Sequence, residues 1–217
     1  MALTKVQAGG VNLADTFAFT GTITGSGFDL LGQQNLSADT TEVVFDNIIT
    51  SDYGQIFASG EVVTTSGTDC HMHIYYRSGG ASGSDISSNM SHSQGDWANR
   101  AAAGAYQGNV IASGNTYLKL GTASTIKGGS SIGFEVSWRS LHTGFTTQAT
   151  NATAREVRHG NFAWAFQATN FSDNHGGNGW FRADSNPTTH TVTGLRFVLS
   201  SGNMHDGRIT VYGKKKT

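Results

Sequence analysis

Cysteine and proline are nearly missing from this sequence, which has one residue of each in 217. The single Cys70 excludes an internal disulfide framework, and it excludes a thiolate metal site made by this chain alone. With one proline and 29 glycines, the chain turns mainly at glycine, which accepts positive φ without a steric penalty. The composition therefore points to many glycine turns and to a fold held together without disulfides.

Charge is scarce as well. Charged residues make up 13% of the chain, about half of the usual share of roughly 25%, and the net charge is −1. This balance predicts neither a nucleic acid nor an anionic membrane as partner. The one basic cluster, residues 214–216, is explained by a solvated terminal tail. Ser, Thr, Asn and Gly carry the surface instead, and these residues suit strands joined by tight turns.

Long apolar runs are also absent. No segment approaches the about 20 apolar residues that a membrane-spanning helix needs. Residues 4–10 are too polar to be part of a signal peptide. We therefore expect no membrane insertion, and synthesis in a cytoplasm without a signal peptide.

Sequence signatures of catalysis are missing. There is no Gly-x-Ser-x-Gly elbow, no phosphate loop and no dinucleotide-binding glycine motif. Hydrolysis of a glycan needs two paired carboxylates, and no spacing pairs Glu42, Glu61, Glu135 or Glu156. Cys70 alternates toward the predicted core side, where a thiol is inert. The sequence therefore predicts no enzyme and no cofactor.

Eight histidines invite a metal-site interpretation. His71 and His73 are two residues apart on a predicted strand, so their side chains project to one face. The sequence nominates no third ligand, and a pair of exposed sheet histidines is the simpler interpretation. No metal is predicted, and metal binding by this pair stays an open alternative.

What the sequence does contain is alternation of apolar and polar residues, the signal of half-buried strands. The clearest run is 131–139, where Ile132, Phe134, Val136 and Trp138 fall on one face. Similar runs predict strands at 43–49, 55–64, 69–77, 116–120 and 154–169, and two at the C-terminus through Leu195, Phe197 and Leu199 and through Ile209 and Val211.

Two long segments, 78–94 and 170–187, are rich in Gly, Ser and Asn and are predicted to be loops. Within 97–113 an alanine run favours helix but glycines interrupt it, so we expect at most one or two helical turns before a strand at 106–112. Gly60, in mid-strand, indicates a bulge or a close backbone approach. Nine to eleven strands and no convincing helix predict an all-β fold, an antiparallel β-sandwich of jelly-roll type.

The first 32 residues are predicted to form a short N-terminal arm, followed by a β-sandwich domain over residues 33–217. The apolar side chains of the arm need a surface that covers them, so the arm is a candidate docking segment for a neighbouring subunit. A first strand with its lead-in is the alternative. The docking candidates are Val6, Val11, Leu13, Phe17 and Phe19.

Side chains in the predicted loops are candidates for contact with a receptor or another partner. Trp97, His175, Trp180 and Phe181 lie in or beside turn-rich segments with Asn, Asp and Gly neighbours. Aromatic residues in such a setting are typical of sugar-binding and protein-docking surfaces. Loop aromatics also fold back to close the ends of a sandwich, and for any one residue that alternative is the more frequent.

The connection between the two C-terminal strands carries the pattern Ser-x-Gly-Asn-x-x-x-Gly, and the last strand ends in Tyr-Gly. The pattern residues are Ser200, Gly202, Asn203, Gly207, Tyr212 and Gly213. This ending resembles that of small β domains in tail-fibre and other virion structural proteins of tailed phages of marine bacteria. The opening Met-Ala-Leu-Thr-Lys-Val also resembles the start of such fibre proteins.

This resemblance implies a phage virion structural protein, either a subunit of a tail fibre or spike or a receptor-binding module for host adhesion. It implies other virion proteins as partners through the arm, a host surface glycan or protein as receptor, and a homo-oligomer with a trimer favoured. Only about 30 residues precede the first predicted core strand, where fibre proteins carry a long shaft. A capsid or head decoration protein is therefore the alternative, and a glycan-degrading enzyme on a jelly roll is a weaker one.

Overall fold

A computed structural model of the chain describes residues 27–65, 70–79, 83–86, 89–100, 103–120, 130–143, 145–147, 155–167, 173–185 and 191–216. Within residues 89–100, 103–115, 145–147, 155–157, 167, 173–175 and 182–185 the description covers the backbone only. Every regular element in these ranges is a β-strand, and none of the ranges contains a helix of the length and apolarity that crossing a membrane requires.

The described strands follow the chain in the order β1 (Phe28–Leu36), β2 (Glu42–Phe45), β3 (Tyr53–Thr64), β4 (Met72–Ser78), β5 (Ser84–Asp85), β6 (Asn89–Arg100), β7 (Ala103–Asn115), β8 (Leu118–Leu120), β9 (Ser131–Arg139), β10 (Phe145–Thr147), β11 (Arg155–Gln167), β12 (Asp173–Ser185), β13 (Gly194–Leu199) and β14 (Met204–Lys215). They form two antiparallel sheets. The larger runs β1-β14-β3-β9-β11-β12-β6-β7, with β10 beside β11. The smaller runs β2-β13-β4-β5, with β8 also paired to β4.

The two sheets face each other across an apolar core, in a sandwich-like arrangement. Phe134 of β9 stacks on Phe197 of β13, with ring centroids 5.8 Å apart. Nearby, Nε1 of Trp138 on β9 donates to the hydroxyl of Tyr76 on β4 at 2.9 Å. All four side chains are buried. Aromatic packing and a satisfied buried hydrogen bond therefore join the sheets.

Alternation in the sequence predicted the strands at the centre of the fold. In β9 the even-numbered side chains from Ile132 to Trp138 are buried while Glu135 is exposed, so the predicted face is confirmed. The all-β, antiparallel class and the buried position of Cys70 are confirmed as well. The C-terminal strands β13 and β14 bury the predicted Leu195, Phe197, Leu199, Ile209 and Val211.

The two segments predicted as long loops contain strands, so both loop predictions were wrong. β6 occupies the end of the first segment and continues to Arg100, and β12 occupies most of the second. β12 pairs along its length with β11 on one side and β6 on the other, and β6 pairs with β7. Backbone ladders of this kind form without apolar alternation when neighbouring strands are long. The described part of 97–113 is likewise strand and contains no helical turn.

The predicted boundary of the N-terminal arm needs a correction. β1 pairs with β14 from Phe28 to Leu36, so a boundary between residues 32 and 33 falls inside a strand of the larger sheet. The predicted strand around 17–25 lies outside the described residues. The globular part therefore includes residues from Phe28 onward.

The C-terminal pattern holds the connection between β13 and β14 in place. The backbone nitrogen of Ser200 donates to the carbonyl oxygen of His71 at 2.9 Å, and its Oγ accepts from the nitrogen of His71 at 2.9 Å. Asn203 is tied in the same way to Thr65, donating to its Oγ1 at 3.2 Å and accepting from its nitrogen at 2.9 Å. The pattern thus anchors the turn beside the end of β3 and the start of β4.

Two glycines of the larger sheet are required by close approach of other groups. Gly207 has a φ of +119°, and a β-carbon there would overlap the carbonyl oxygen of Glu61. A β-carbon on Gly60 would lie 2.7 Å from the ring of Phe134. The close approach predicted for Gly60 is therefore confirmed, and it leaves room for the Phe134 ring in the core.

Candidate functional site

The outer face of the larger sheet, turned away from the core, carries a trough of about 830 Å³. It crosses β1, β14, β3, β9 and β11. We call it the sheet trough; Glu61, Glu135, Arg208 and Tyr212 flank it, and Gly133 and Ala163 belong to its floor. Opposite residues of paired strands share a face, which is why the register brings these side chains together. Small-molecule sites usually measure about 300–1,000 Å³, so the sheet trough has the size of a ligand site.

The floor of the sheet trough is low because its side chains are small. Gly133 lies opposite Glu61 on one side and Ala165 on the other. A β-carbon on Gly133 would meet only the carbonyl oxygen of Ala165, at 4.0 Å. Ala163 and Ala165 are exposed. Backbone and methyl groups therefore line the floor, and the space above them stays open.

The charged side chains of the sheet trough have unused hydrogen-bonding capacity. Glu61, Glu135 and Arg208 are exposed, and within the described part of the chain none of them makes a hydrogen bond or an ion pair. Arg208 lies directly opposite Glu61. Glu135 lies diagonally across from Glu61, because its direct partner on β3 is Ser59. Three charged groups therefore project from neighbouring positions of one face.

No spacing in the sequence pairs Glu61 with Glu135, and Arg208 was not among the residues predicted to contact a ligand. The alternation of β3 and β9 did show that both glutamates point away from the core. Only the pairing register, which no local pattern contains, places them on adjacent rungs of one sheet.

An apolar cluster continues one end of the sheet trough. Tyr212 lies between Leu30 and Phe57 on the neighbouring strands, and Phe28 packs edge to face on Phe57 with ring centroids 4.7 Å apart. A second cavity of about 340 Å³ lies among Phe28, Phe57, Tyr212 and Glu135. Because Tyr212 and Glu135 line both cavities, the polar sheet trough and the apolar cluster form one continuous surface.

Trp180, one of the predicted contact residues, lies on the same outer face. Its side chain is 57% exposed. On successive strands Trp180 is opposite Asn161, Asn161 is opposite Ser137, and Ser137 is opposite Phe57. A row of directly paired residues on neighbouring strands therefore connects the apolar cluster with Trp180.

The predicted contact role of Phe181 is corrected by its burial. Phe181 is fully buried and packs on Trp138 and Phe162, with ring centroids 6.0 Å and 6.4 Å away. Successive residues of a strand face opposite sides, so the exposure of Trp180 turns Phe181 into the core. Phe181 closes the core between β9, β11 and β12 and has no surface left for a partner.

The other predicted site residues lie outside the described part. Trp97 and His175 are in β6 and β12, where the description does not include their side chains. The candidate docking residues of the arm also lie outside the described residues. They are Val6, Val11, Leu13, Phe17 and Phe19.

Comparison of the chain with protein-family models, with curated proteins and with solved structures found no match. The resemblance of the C-terminus to virion proteins therefore depends on the pattern residues alone. The geometry of the two outer sheet faces is the remaining basis for assigning a function.

The outer face of the smaller sheet carries an aromatic ladder whose groups already have partners. His73 stacks on Tyr117 with ring centroids 3.9 Å apart, and Tyr117 contacts Tyr75 at 5.2 Å. The guanidinium of Arg196 lies 4.1 Å from the ring centroid of Tyr75, and its Nε donates to Asp85 at 3.1 Å. Stacking and ion pairing thus occupy these groups, which makes the ladder a weaker candidate for ligand binding than the sheet trough.

His71 and His73 share the ladder face, as their spacing predicted, with ring centroids 6.4 Å apart. Among the residues that the structure describes, no three His, Cys, Asp or Glu side chains are grouped in a way that would hold a metal. Burial, with smaller contributions from the nearby charges of His71 and Lys119, lowers the pKa of His73 to about 4. The neutral imidazole is therefore the form that stacks on Tyr117.

Acidification should destabilise the protein through His73. The pKa of His73 is near 6.5 in the unfolded chain and about 4 in the folded one, so between these values the unfolded state binds more protons. The contribution of neutral His73 to the free energy of unfolding is complete above about pH 6.5, and it is lost as the pH falls toward 4. We expect His73→Gln to lose less unfolding free energy than the wild type over this window, measured by denaturant titration.

Proposed function

We propose that this chain is a non-enzymatic structural protein of a phage virion, a subunit of a tail fibre or spike that presents a surface to the host cell. It acts in a homo-oligomer, with a trimer favoured, and its first residues dock on other virion proteins. The resemblance of the C-terminal pattern supports the virion assignment, and the outer face of the larger sheet supports a contact function.

The proposal includes a jelly-roll type of sandwich, which the strand order supports. Without the strands that extend the larger sheet, β1-β14-β3-β9 face β2-β13-β4-β8. In sequence order, each of these eight strands is followed by a strand of the opposite sheet, except that β4 and β8 belong to the same sheet. The last strand lies between the first and the third. Such an order is expected for eight strands folded as two Greek keys.

The observation that carries the proposal is the distribution of exposed apolar side chains. Among the described residues the large ones are Phe28, Leu30 and Trp180, exposed by 53%, 58% and 57%, and all three lie on the outer face of the larger sheet. Exposed apolar groups concentrated on one face mark an interaction surface. A particle subunit needs such a surface for its neighbours and for a receptor.

Hydrolysis on the same scaffold is the second candidate function, and the register of β3 and β9 favours it. Glu61 and Glu135 lie diagonally across the β3–β9 pair on one face, and glycosidases act with two carboxyl groups that flank one substrate. Both side chains are exposed, however, so water reaches both carboxyl groups, including that of Glu135 beside the apolar cluster, whereas a general-acid carboxyl group is shielded from water. Binding without hydrolysis is therefore the function we propose.

Location on the particle tests the virion assignment. Immunogold labelling of the phage whose genome carries this sequence is expected to mark the distal tail. Label on the head would support the decoration-protein alternative instead. Absence of the chain from purified virions would overturn a virion function altogether.

Trp180→Ala should weaken attachment of the particle to host cells while the fold stays intact. The side chain is more than half exposed, so its removal costs little burial, whereas an exposed tryptophan is a frequent hot spot of binding. Attachment is measured by adsorption of virions and stability by thermal unfolding. Val44→Ser, on the outer face of the smaller sheet, is the matched control. Unchanged adsorption of the Trp180→Ala particles would remove this residue from the contact surface.

A further inference from the structure

We propose that the sheet trough binds a neutral oligosaccharide, lying across the strands with its hydroxyl groups hydrogen-bonded by Glu61, Glu135 and Arg208 and one sugar ring packed on Tyr212. This inference rests on the proposed contact function and names the ligand class for it. It also assigns the binding to residues in the middle of the larger sheet, none of which was among the contact residues predicted from the sequence.

The dimensions of the sheet trough suit a short chain of sugars. It crosses five neighbouring strands, which at about 4.8 Å spacing span about 19 Å. Its volume of about 830 Å³ is in the upper part of the range for small-ligand sites, about 300–1,000 Å³. The open floor at Gly133 and Ala163 lets a flat, elongated ligand approach the backbone.

The hydrogen-bonding groups of the sheet trough match a polyhydroxylated ligand. A sugar hydroxyl both donates and accepts, so it is best held between an acceptor and a donor. Glu61 provides the acceptor and Arg208, directly opposite on β14, provides the donor. Asn35 and Ser59 add further polar groups to the lining. Since Glu61 and Arg208 have no other partner in the described chain, a ligand would not have to displace an existing bond.

The charges of the sheet trough disfavour an anionic ligand. Glu61, Glu135 and Asp206 contribute three carboxylates, against the one guanidinium of Arg208. A nucleic acid, a phosphate or an acidic polysaccharide would meet net repulsion in this space. A neutral glycan meets none, and its hydroxyl groups form charge-assisted hydrogen bonds with the same carboxylates.

The aromatic end of the sheet trough provides the apolar part of the site. The ring of Tyr212 lines the sheet trough and, with Phe28 and Phe57, the adjoining cavity. One face of a pyranose ring consists of C–H groups, and burying it on an aromatic side chain removes apolar area from water. A polar sheet trough that ends on aromatic rings therefore fits both the hydroxyl edges and the apolar face of a sugar.

The test is binding of the full-length protein to an array of neutral and anionic oligosaccharides, followed by calorimetric titration with the glycan that binds best. We expect neutral glycans to bind and uronic-acid and sulfated ones to fail. Glu135→Gln should weaken binding about tenfold, because a charge-assisted hydrogen bond is replaced by a neutral one. Gly133→Gln should abolish binding, because its side chain fills the open floor. Val44→Ser, on the other sheet, should bind as the wild type does.

Three outcomes would overturn the inference. They are the absence of any bound neutral glycan, a preference for anionic glycans, and undiminished binding by both Glu135→Gln and Gly133→Gln. Glu135 is exposed and has no side-chain partner among the described residues, and Glu135→Gln keeps the shape of its side chain. Glu135→Gln therefore still tests the inference if Gly133→Gln fails to fold.

The same variants separate this inference from the proposed virion function. If virions carrying Gly133→Gln adsorb normally and the glycan does not compete, the receptor is contacted elsewhere. The role of the sheet trough in host contact is then overturned while the virion function stands. If the bound glycan is cut into shorter products by the wild type and not by Glu135→Gln, the non-enzymatic function is overturned and the sheet trough is an active site.

Discussion

Gly207→Ala is expected to lower the free energy of unfolding by about 3 kcal/mol, a large effect for one added methyl group. Gly207 has a φ of +119°, which side chains other than glycine rarely accept, and its β-carbon would overlap the carbonyl oxygen of Glu61 on β3. The pairing of β14 with β3 would have to open locally to relieve this overlap. Denaturant unfolding followed by tryptophan fluorescence measures the loss.

Gly133→Ala is the matched control for this prediction. It adds the same methyl group to the same sheet, but its β-carbon would meet only the carbonyl oxygen of Ala165, at 4.0 Å. We expect a change within about 0.5 kcal/mol, as for most surface substitutions. Equal stability of the two variants would show that the backbone at Gly207 relaxes without cost, and the structural role assigned to this glycine would be wrong.

Removing the hydrogen bond between Trp138 and Tyr76 should produce the second large loss. Tyr76→Phe leaves the indole N–H of Trp138 buried without an acceptor, and we expect a loss of about 1–3 kcal/mol. Trp138→Phe leaves the Tyr76 hydroxyl unpaired and also opens a cavity, so about 3 kcal/mol is expected. The double variant should lose less than the sum, with a coupling of about 1 kcal/mol, because the second substitution removes the group that the first left unpaired.

Trp180→Phe and Tyr212→Phe are the controls, since they make the same substitutions on the outer face. Trp180 is 57% exposed and Tyr212 is half-buried, so both should unfold close to the wild type. Strict additivity of Tyr76→Phe and Trp138→Phe would mean that the hydrogen bond contributes nothing to holding the sheets together.

The fold was predictable where one face of a strand is in the core. β9 alternates because one side packs on the smaller sheet and the other meets solvent, and the sequence reflects this difference. β12 and the first half of β6 were predicted as loops because Gly, Asn and Ser are frequent in them. They form strands because their backbones pair with long neighbouring strands, and a single sequence does not reveal which segments pair.

Burial of Arg158 shows a second limit of sequence patterns. Its side chain is 1% exposed, and its Nε donates to the carbonyl oxygen of Leu141 at 2.7 Å. A charged residue in an alternating strand is expected on the solvent side, but the nearby turn at 140–143 supplies carbonyl acceptors that help to permit burial.

The candidate site was less predictable than the fold. Exposure of Trp180 was foreseen as one of two alternatives, whereas Phe181, its neighbour in sequence, belongs to the core. The charged members of the sheet trough come from β3, β9 and β14, which are far apart in sequence. Their convergence depends on the register of three strands, and a shift of one residue would turn them to the other face.

Insertion of β14 between β1 and β3 also determines when the protein can fold during synthesis. The first and third of the described strands share a neighbour, β14, that is translated after both of them, so neither can complete its ladder until β14 has been made. Contacts over such a sequence separation make folding slow and leave strand edges open to other chains in the meantime. Nascent copies on one polysome therefore bring the unpaired edges of β1 and β3 close together until β14 has been made.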